Sequence, residues 1–528
     1  MEFFNFIFKI QNIWKFYFHN KNKFHNTNIK KKNIILLESF YYYPSLIAFS
    51  YITNVLKNKF DADLYTYEPR LKSSYSRIRE NFNLNKLIIN TLFKSFGVKK
   101  KIFPKLLSKN SDESQKYFKK IYKSLKNKNY ILKIKIKKVY VGDLIYDEYL
   151  RQYLKPTIDI KSFSFREHLK KSIDLFFYWN SFFEENNVKS IIVSHSVYLT
   201  GLPGRVGLHK NINVYNLGIS YTFRLSKKNY LRLSGFENYK KDFQKLRNKK
   251  NLLKFSKKML YEKLYGKSNI GYLTEYSLGG SPFKKMKIKK NLNKKKKVLV
   301  VSHCFTDAVH AYGDNLFVDF YSWMEFLGKL SLELDYEWLI KIHPNQFDLN
   351  YKYLNDFIKK YNKFSLLNKS ITHNEIISKY NILSALTVYG SVSHEYPLFN
   401  IPVINASKNV PHKSFNFNIN PQTIDDLRKN ILKIKKINKK KNKKNHKEIF
   451  EYYYMRFLSD YQVMKNHYLI SAKLGTKYNS PLIFNEWFKI FNDKYHQKKL
   501  YDFKKFVDSN NFRMLSDNTK NESKYLDI

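Results

Sequence analysis

The stretch Ile340–Asn345 reads IKIHPN, and further along Gly390–Pro397 reads GSVSHEYP. In the first stretch an apolar strand ends in His343 and Pro344, because proline closes a strand and restricts the residue before it. In the second, a small-residue turn opens a helix that bears Glu395. Ligands of parallel sheets lie at the carboxyl ends of the strands, and helix N-termini attract anions. The two stretches therefore predict an α/β domain with a crevice for a phosphorylated ligand.

Short apolar strands alternate with helices on both sides of these stretches. One domain begins at Lys297–His303 (KVLVVSH), continues through Glu337–Ile342 and reaches its fifth strand at Pro402–Ile404. The same alternation occurs earlier, from Asn33–Leu37 to Ala62–Tyr67. This rhythm is typical of parallel sheets covered by helices. We predict the fold class α/β, with two Rossmann-like doubly wound lobes in the architecture called GT-B, followed by C-terminal helices.

Composition and periodicity predict the domain boundaries. The expected ranges are 1–28 for an amphipathic N-terminal helix, 29–235 for an N-terminal Rossmann-like lobe, 236–296 for a helical connector and basic linker, 297–432 for a C-terminal Rossmann-like lobe, 433–508 for a Lys-rich run and C-terminal helices, and 509–528 for a disordered tail. Within the first lobe, Val139–Asp147 is predicted as a strand and a turn, and Lys189–His195 and Ile212–Tyr215 as strands.

The chain is strongly basic, with 97 Lys and Arg residues against 43 acidic residues and a formal net charge of +54. Such a charge attracts polyanions. However, Lys, Asn, Ile, Phe and Tyr are all heavily used, and their codons can be built from A and T alone, so genome bias accounts for much of the lysine. We therefore expect no nucleic-acid partner. The single cysteine, Cys304, excludes an intrachain disulfide and indicates a reducing, cytoplasmic setting.

Two apolar segments raise the question of membrane contact. Ser39–Leu56 is uncharged and long, but its tyrosines, serines and Pro44 favour a buried helix over a transmembrane one. Met1–Phe18 carries apolar residues at helical spacing, with Lys9 on the other side. A basic, aromatic amphipathic helix of this kind either lies on a membrane, as a peripheral anchor at the inner face, or docks on the protein's own core. The sequence leaves both interpretations open.

Several residues near the predicted crevice suit the binding of a phosphorylated ligand. His343, at a strand end, can hydrogen-bond a phosphate and offset charge that builds on a leaving group. Ser391 and Ser393 supply hydroxyl and backbone N–H groups for a phosphate. Glu395, on the first helical turn, can accept hydrogen bonds from ribose hydroxyls. Ordinary helix capping explains the same serines and glutamate equally well when the segment is considered alone.

Other strand ends carry candidates for acid–base chemistry. At the first strand end of the second lobe, His303 or Asp307 can act as a base toward an acceptor hydroxyl, or can position phosphate. In the first lobe, His195 and Glu38 follow strands at comparable places and are acceptor-side candidates. Each of these four residues also fits a structural role.

The motifs of several other phosphate-dependent and hydrolytic enzymes are missing from the sequence. It contains no Walker-type loop, no Gly-x-Gly-x-x-Gly after a strand, no Cys/His zinc spacing, no Gly-x-Ser-x-Gly elbow and no Asp-x-Asp after a strand. These absences argue against an NTPase, a dehydrogenase, a zinc enzyme and a serine hydrolase. We expect no metal and no cofactor beyond the substrate.

Over Val298–Ile404 the second lobe resembles bacterial capsule-polysaccharide and surface-carbohydrate glycosyltransferases of GT-B type. The resemblance lies in His343-Pro344, in the turn from Gly390 to Glu395, and in the segment Pro397–Ile404, which reads PLFNIPVI. It implies that His343 and the turn with Ser391 and Ser393 contact the phosphate of a nucleotide-activated sugar. It also implies that Glu395 helps to hold the nucleotide, that the second lobe is the donor lobe and the first the acceptor lobe, and that the acceptor is a cell-surface glycan or a lipid-linked glycan.

The sequence departs from this family in one respect. The sialic-acid and Kdo-type relatives pair His-Pro with an acidic-acidic-Gly motif in the other lobe, and the nearest candidate here, Glu184–Asn186, precedes a strand at the wrong end of a helix. The base therefore stays a choice among His303, Asp307 and His195. Glycerol-phosphate polymer transferases also pair His-Pro with serines, and they are the first alternative. A non-catalytic basic protein that binds glycan or nucleic acid is the alternative of another class.

Overall fold

The computed structural model describes residues 2–24, 30–71, 83–105, 111–218, 221–265, 293–343, 348–437, 446–459, 480–489 and 491–514. The chain forms two compact units. Unit 1 consists of Met1–Tyr146, Ile160–Arg232 and Asp460–Ser516, and unit 2 consists of Asp147–Asp159, Leu233–Ser459 and Asp517–Ile528. The last two described helices, Leu482–Phe488 and Asp493–Asp508, thus belong to unit 1, and a short segment after Tyr146 belongs to unit 2.

Thirteen strands occur among the described residues. They are β1 (Asn33–Glu38), β2 (Ala62–Tyr67), β3 (Val98–Ile102), β4 (Lys135–Ile136), β5 (Val139–Tyr140), β6 (Val188–Val193), β7 (Asn213–Gly218), β8 (Tyr221–Leu225), β9 (Asn293–Val301), β10 (Glu337–Lys341), β11 (Phe364–Leu366), β12 (Tyr380–Thr387) and β13 (Val403–Asn405). The first eight lie in unit 1 and the last five in unit 2.

The α-helices are numbered in the same way. They are α1 (Glu2–Lys23), α2 (Tyr43–Phe60), α3 (Leu84–Ser95), α4 (Ser111–Ser124), α5 (Gly142–Tyr153), α6 (Phe163–Glu185), α7 (Leu202–His209), α8 (Tyr239–Lys245), α9 (Lys249–Leu264), α10 (Phe320–Ser331), α11 (Asp348–Lys360), α12 (His373–Lys379), α13 (Val392–Glu395), α14 (Ile424–Leu432), α15 (His446–Tyr453), α16 (Leu482–Phe488) and α17 (Asp493–Asp508). No helix among the described residues is long and apolar enough to cross a membrane.

The main sheet of unit 1 has the strand order β3-β2-β1-β6-β7-β8. All neighbours are parallel except β7 and β8, which form an antiparallel pair. The chain moves outward in one direction from β1 and in the other from β6, so the order reverses between these two adjacent strands. Their carboxyl ends are the place where doubly wound sheets bind ligands.

The sheet of unit 2 has the strand order β11-β10-β9-β12-β13, and every neighbouring pair is parallel. The reversal of strand order falls between β9 and β12. Apolar strand residues are fully buried between the helices, among them Val298, Leu299 and Val300 of β9. The predicted fold class is therefore confirmed: each unit is a Rossmann-like α/β layer structure.

Helix α1 packs on unit 1 through one of its faces. Phe16 is completely buried and stacks on Phe484 of α16 with ring centroids 4.0 Å apart, and it meets Trp487 edge-on at 5.8 Å. Asn20, one turn later, donates a hydrogen bond to the Ser95 hydroxyl. The second half of α1 thus docks on the protein's own core, which is one of the two interpretations of this helix.

Two local predictions were wrong. Val139–Asp147 is mostly helical: only Val139–Tyr140 is a strand, paired in a hairpin with β4, and α5 starts at Gly142. Val141, Leu144 and Ile145 are all buried, so the apolar run follows helical spacing. The basic stretch 283–297 was predicted as a linker. Residues 283–292 lie outside the described residues, and residues 293–297 belong to β9.

Two further predicted segments lie largely outside the described residues, namely the Lys-rich run at 438–445 and the tail at 515–528. Residues 509–514, which were expected to be disordered, pack on unit 1. There Arg513 forms a β-bridge with Phe223, and Met514 is buried. The tail therefore contributes to the fold as far as residue 514.

Candidate functional site

Polar side chains gather where the strand order of unit 2 reverses. His303 follows β9, and the turn of residues 387–391 follows the adjacent strand β12. His343 follows β10, the neighbour of β9 on its other side. Since all three strands are parallel, their carboxyl ends lie along one edge of the sheet. The structure thus brings together the strand ends from which the sequence predicted a crevice.

His303 holds the turn after β12. Its Nε2 lies 3.0 Å from the Thr387 hydroxyl and accepts hydrogen bonds from the backbone N–H groups of Val388 (3.3 Å) and Tyr389 (3.4 Å). The ring stacks on Phe320 with centroids 4.6 Å apart. Burial lowers the pKa of His303 to about 3, so the ring is neutral at ordinary pH. Because Nε2 is already engaged, this histidine positions the turn and is not an open base.

The turn itself needs a glycine at position 390. A Cβ there would lie 2.7 Å from the Thr387 Oγ1 and 3.6 Å from the Cε1 of His303. The next residue, Ser391, is exposed, whereas Ser393 is buried and its hydroxyl accepts a hydrogen bond from Asn405 at 2.8 Å. Of the two serines predicted to bind phosphate, Ser391 is the accessible one and Ser393 anchors the turn to β13.

His343 and Asp307 approach each other at the same edge. Burial lowers the pKa of His343, and the negative charge of Asp307 opposes that shift. Asp307 is exposed, and His343 in turn lowers the pKa of His303. His343 is thus coupled to the charge of Asp307 on one side and to His303 on the other. Pro344, the second half of the motif, lies outside the described residues.

The loop that carries Asp307 is held in a strained shape. Ala308 has φ of +42°, a left-handed conformation that costs free energy for a residue other than glycine. The Tyr389 hydroxyl donates to the carbonyls of Ala308 (3.3 Å) and Val309 (3.1 Å). The turn after β12 and the loop after β9 are thus tied together, and no local sequence pattern indicates this role of Tyr389.

A buried pair fixes the far side of the same loop. His310 Nδ1 lies 2.6 Å from the Asp147 carboxylate, whose other oxygen accepts the His310 backbone N–H at 3.1 Å. The second ring nitrogen lies 3.0 Å from the carbonyl of Val318. Both ring nitrogens of His310 are thus engaged, which holds this part of the loop against Asp147 of α5. Sequence reasoning missed Asp147 because it lies in the stretch predicted as a turn.

Glu395 does not face open space. It is 1% exposed and forms an ion pair with Lys263 of α9, which is 2% exposed. The ring of His394 is also buried, and its Nε2 lies 4.0 Å from the Glu395 carboxylate. In this arrangement the carboxylate that was expected to bind ribose serves to join α13 to α9. Within the described residues, no three His, Cys, Asp or Glu side chains come close enough together to hold a metal ion.

The crossover edge of unit 1 carries a hydrogen-bonded chain of three side chains. Glu38 follows β1, and Ser194 and His195 follow the adjacent β6. The Glu38 carboxylate accepts from the Ser194 backbone N–H at 2.6 Å and from its hydroxyl at 2.7 Å. That hydroxyl also lies 2.7 Å from the Nδ1 of His195, which is exposed. The two acceptor-side candidates are thus brought together through a serine.

Electrostatics make this chain suitable for proton transfer. Burial raises the pKa of Glu38 to about 7. The hydrogen bonds from Ser194 favour the ionised form and act in the opposite direction, but burial has the larger effect. When Ser194 donates to Glu38, its oxygen can accept the Nδ1–H of His195, and in that tautomer Nε2 is the ring nitrogen that accepts a proton. Such a carboxylate–hydroxyl–imidazole chain orients a general base.

Two Rossmann-like units, each with polar side chains at its strand-order reversal, define an α/β protein of GT-B type. No protein-family model matches the chain, and no curated protein matches it by sequence. Among solved structures the chain is similar to a UDP-GlcNAc 2-epimerase from Methanocaldococcus jannaschii in complex with UDP-GlcNAc and UDP. The identity is 14% and the TM-score 0.23, with 80% of this chain and 98% of that chain covered.

Two other solved structures show similar values. A glycosyltransferase from Rickettsia africae ESF-5 is 11% identical with a TM-score of 0.26, and the match covers 88% of this chain and 100% of that chain. The N-terminal domain of Candida albicans trehalose-6-phosphate phosphatase is 10% identical with a TM-score of 0.24, and the match covers 88% and 98%. At these scores, function has to be inferred from the residues of the chain itself.

Proposed function

We propose that the protein transfers a sugar from a nucleotide-activated donor to a glycan acceptor. The observation that carries this proposal is the position of His343, Asp307 and Ser391 after three strands of the same parallel sheet, β10, β9 and β12, around the strand-order reversal of unit 2. Doubly wound sheets bind nucleotides at this position. We further assign the acceptor to cell-surface glycans, including lipid-linked ones.

The donor phosphates need hydrogen-bond donors and compensation of charge. A neutral His343 donates a hydrogen bond to a phosphate oxygen, and the Ser391 hydroxyl supplies a second. When the bond between the anomeric carbon and the phosphate oxygen breaks, the diphosphate keeps the electron pair, and these donors stabilise its growing charge. A bound phosphate also favours protonation of His343, because a nearby negative charge raises a histidine pKa.

The acceptor hydroxyl must lose a proton as it attacks the anomeric carbon. Within unit 1, His195 is suited to accept a proton from a hydroxyl bound beside it, since it is exposed and its Nδ1 is held by Ser194. Glu38 then stabilises the resulting positive charge through the serine. In unit 2, Asp307 is exposed beside His343 and is assigned to orienting the donor.

The test uses the full chain and a panel of UDP-, CMP-, GDP- and CDP-linked sugars together with CDP-glycerol. Transfer or donor hydrolysis is detected by mass spectrometry. His343→Ala should lower the turnover number by about 10²- to 10³-fold, as for loss of one donor to a developing anion. His209→Ala, at an exposed histidine of α7, is the matched control and should leave turnover unchanged.

Three results would contradict the proposal. Full activity of His343→Ala would exclude the assigned site. Turnover of CDP-glycerol alone would identify an alcohol-phosphate transferase instead. Salt-sensitive binding of RNA or DNA, with no donor in the panel raising the melting temperature, would point to a non-catalytic binding protein.

A further inference from the structure

A cavity of about 400 Å³ lies in unit 1 between α1 and α3. Its wall combines apolar side chains, among them Ile10, Ile13 and Ile88, with the two cations Lys9 and Lys86. This volume lies in the range of small-molecule sites. An apolar wall with two cations fits an amphiphile that carries an anionic group next to an apolar chain.

Exposed apolar side chains surround this cavity. We call them the α1–α3 face, and they are Ile10, Trp14, Phe18, Leu84 and Leu87. Trp14 and Phe18 are 49% and 54% exposed and stack on each other with ring centroids 5.7 Å apart. Ile10 and Leu84 belong both to this face and to the cavity wall, so the two are continuous. Exposed apolar patches of this kind mark interaction sites.

The fold does not need these side chains. Helix α1 already attaches to unit 1 through its other side, where Phe16 and Asn20 are buried. The stripe of Ile10, Trp14 and Phe18 recurs every fourth residue, and all three side chains stay exposed after packing against the other described residues. It is therefore available to a partner.

The charge of the two helices identifies the chemistry of that partner. Between Lys9 and Lys23, α1 contains four lysines and no acidic residue, and of these Lys23 is paired with Asp493 of α17. Helix α3 contains Lys86 and Lys94 and no acidic residue. Each lysine near an anionic lipid surface contributes about 1 kcal/mol of attraction. Tryptophan and lysine together are typical of helices that lie in a membrane interface. The complementary surface is thus an anionic bilayer.

The cavity also adjoins the crossover edge of unit 1. Tyr41 forms part of its wall, and its hydroxyl donates to the Glu68 carboxylate at 2.9 Å. The preceding residue, Phe40, has its ring centroid 5.5 Å from that of His195. The cavity wall is thus connected to His195 through the adjacent residues Tyr41 and Phe40.

We propose that the α1–α3 face docks on an anionic bilayer surface and that the cavity holds a phosphate-bearing lipid between Lys9 and Lys86. That this lipid is the anchored acceptor rests on the proposed function. The docking of the α1–α3 face on a bilayer does not depend on the proposed function, so docking and lipid binding are tested separately.

Docking is measured on the full chain with vesicles of phosphatidylcholine alone and of phosphatidylcholine mixed with phosphatidylglycerol. Trp14 is the natural reporter, because the other four tryptophans, Trp179, Trp323, Trp338 and Trp487, are each at most 1% exposed. Anionic vesicles should shift the tryptophan emission to shorter wavelength, and brominated lipids should quench it. Trp14→Phe should abolish both signals.

Co-sedimentation with the same vesicles compares variants. Trp14→Ser combined with Phe18→Ser should weaken binding at least about tenfold, because two interfacial aromatic side chains are lost. Phe163→Ser, at a phenylalanine of α6 that is 78% exposed, is the control and should bind like the wild type. Equal binding to neutral and anionic vesicles, or an unaffected double variant, would overturn docking. Docking would also be overturned if the wild type formed a dimer in sedimentation velocity and the double variant did not.

The cavity is tested without a bilayer by titrating soluble dihexanoyl phosphatidylglycerol, with inorganic phosphate as the head-group control. Lys9→Ala combined with Lys86→Ala should lose lipid affinity, whereas Lys94→Ala, on the same helix but outside the cavity wall, should not. The lipid site would be overturned if inorganic phosphate bound as tightly as the lipid. It would also be overturned if Lys94→Ala lost as much lipid affinity as the double variant. If docking and lipid binding hold while no donor is turned over, the proposed function fails alone.

Discussion

Two histidines at neighbouring strand ends of unit 2 differ because of what surrounds them. Burial lowers the pKa of His303 to about 3, and its Nε2 accepts two backbone N–H groups, so the neutral ring is part of the framework. His343 has the negative charge of Asp307 nearby, which opposes the effect of burial on its pKa. Only His343 is therefore suited to respond to a phosphate.

Glu38 makes the stability of the protein depend on pH. Burial raises its pKa from 4.5 to about 7, so the native state holds the proton more tightly than the unfolded state. The resulting stabilisation is complete below the unfolded value and is lost as the pH rises through the folded value. Between about pH 5 and about pH 8, the free energy of unfolding of the wild type should fall by about 2 kcal/mol relative to that of Glu38→Gln, because the glutamine side chain does not titrate.

Urea unfolding of both proteins at the two pH values measures this difference. Glu38→Gln keeps the size of the side chain and an oxygen that can accept from Ser194, which limits other effects of the substitution. A difference in the free energy of unfolding that is the same at both pH values would show that Glu38 ionises normally.

The site was predictable from the sequence only as a set of strand ends. His343, His303 and Ser391 each follow an apolar run, and such local signals place them at the edge of a parallel sheet. Their partners lie far away in sequence: Lys263 and Glu395 are 132 residues apart, and Asp147 and His310 are 163 apart. No local pattern indicates such pairs, so the burial of Glu395 could not be foreseen.

Helix α1 shows how an aromatic pattern can mislead. The apolar residues at helical spacing in Met1–Phe18 include Trp14 and Tyr17, and Phe16 lies outside that stripe. In the structure Phe16 is the completely buried residue, and Trp14 is half exposed. Periodicity locates an apolar face but does not say which partner covers it.

Substitutions on the two sides of α1 should therefore have different consequences for stability. Phe16→Ala removes the stacking on Phe484 and leaves a cavity, which should cost about 3–5 kcal/mol. Trp14→Ala should cost less than about 1 kcal/mol, since half of its surface is already in water. Chemical unfolding of the two variants measures both values. Equal costs would contradict the packing described here.

Helices α9 and α13 are joined by the buried pair of Lys263 and Glu395. Lys263→Met or Glu395→Leu alone should destabilise the protein by about 3–5 kcal/mol, because each leaves an uncompensated buried charge. The double variant should recover most of that loss, since both charges are then absent. The measurement is a double-mutant cycle by urea unfolding. If the two losses simply add, the pair does not exist as described.

For the molecule as a whole, the alternation of strands and helices was enough to predict two Rossmann-like units. The prediction succeeded because the strands of a parallel sheet are buried on both faces and read as continuous apolar runs. It failed at Val139–Asp147, where a short apolar run with Gly142 reads equally well as strand or helix. The return of the C-terminal helices to unit 1 depends on long-range packing, such as that of Phe484 on Phe16.

Hydrogen–deuterium exchange of the full chain, with and without a saturating nucleotide-activated donor, tests the central claim most directly. Binding of the donor diphosphate at the strand-order reversal of unit 2 predicts slower exchange at the amides of His303–Asp307 and Thr387–Ser391, the two segments that the His303 ring joins. The same protection should be lost in His343→Ala. The proposed site would be contradicted if the donor bound but protected only other segments. It would also be contradicted if His343→Ala showed the same protection as the wild type.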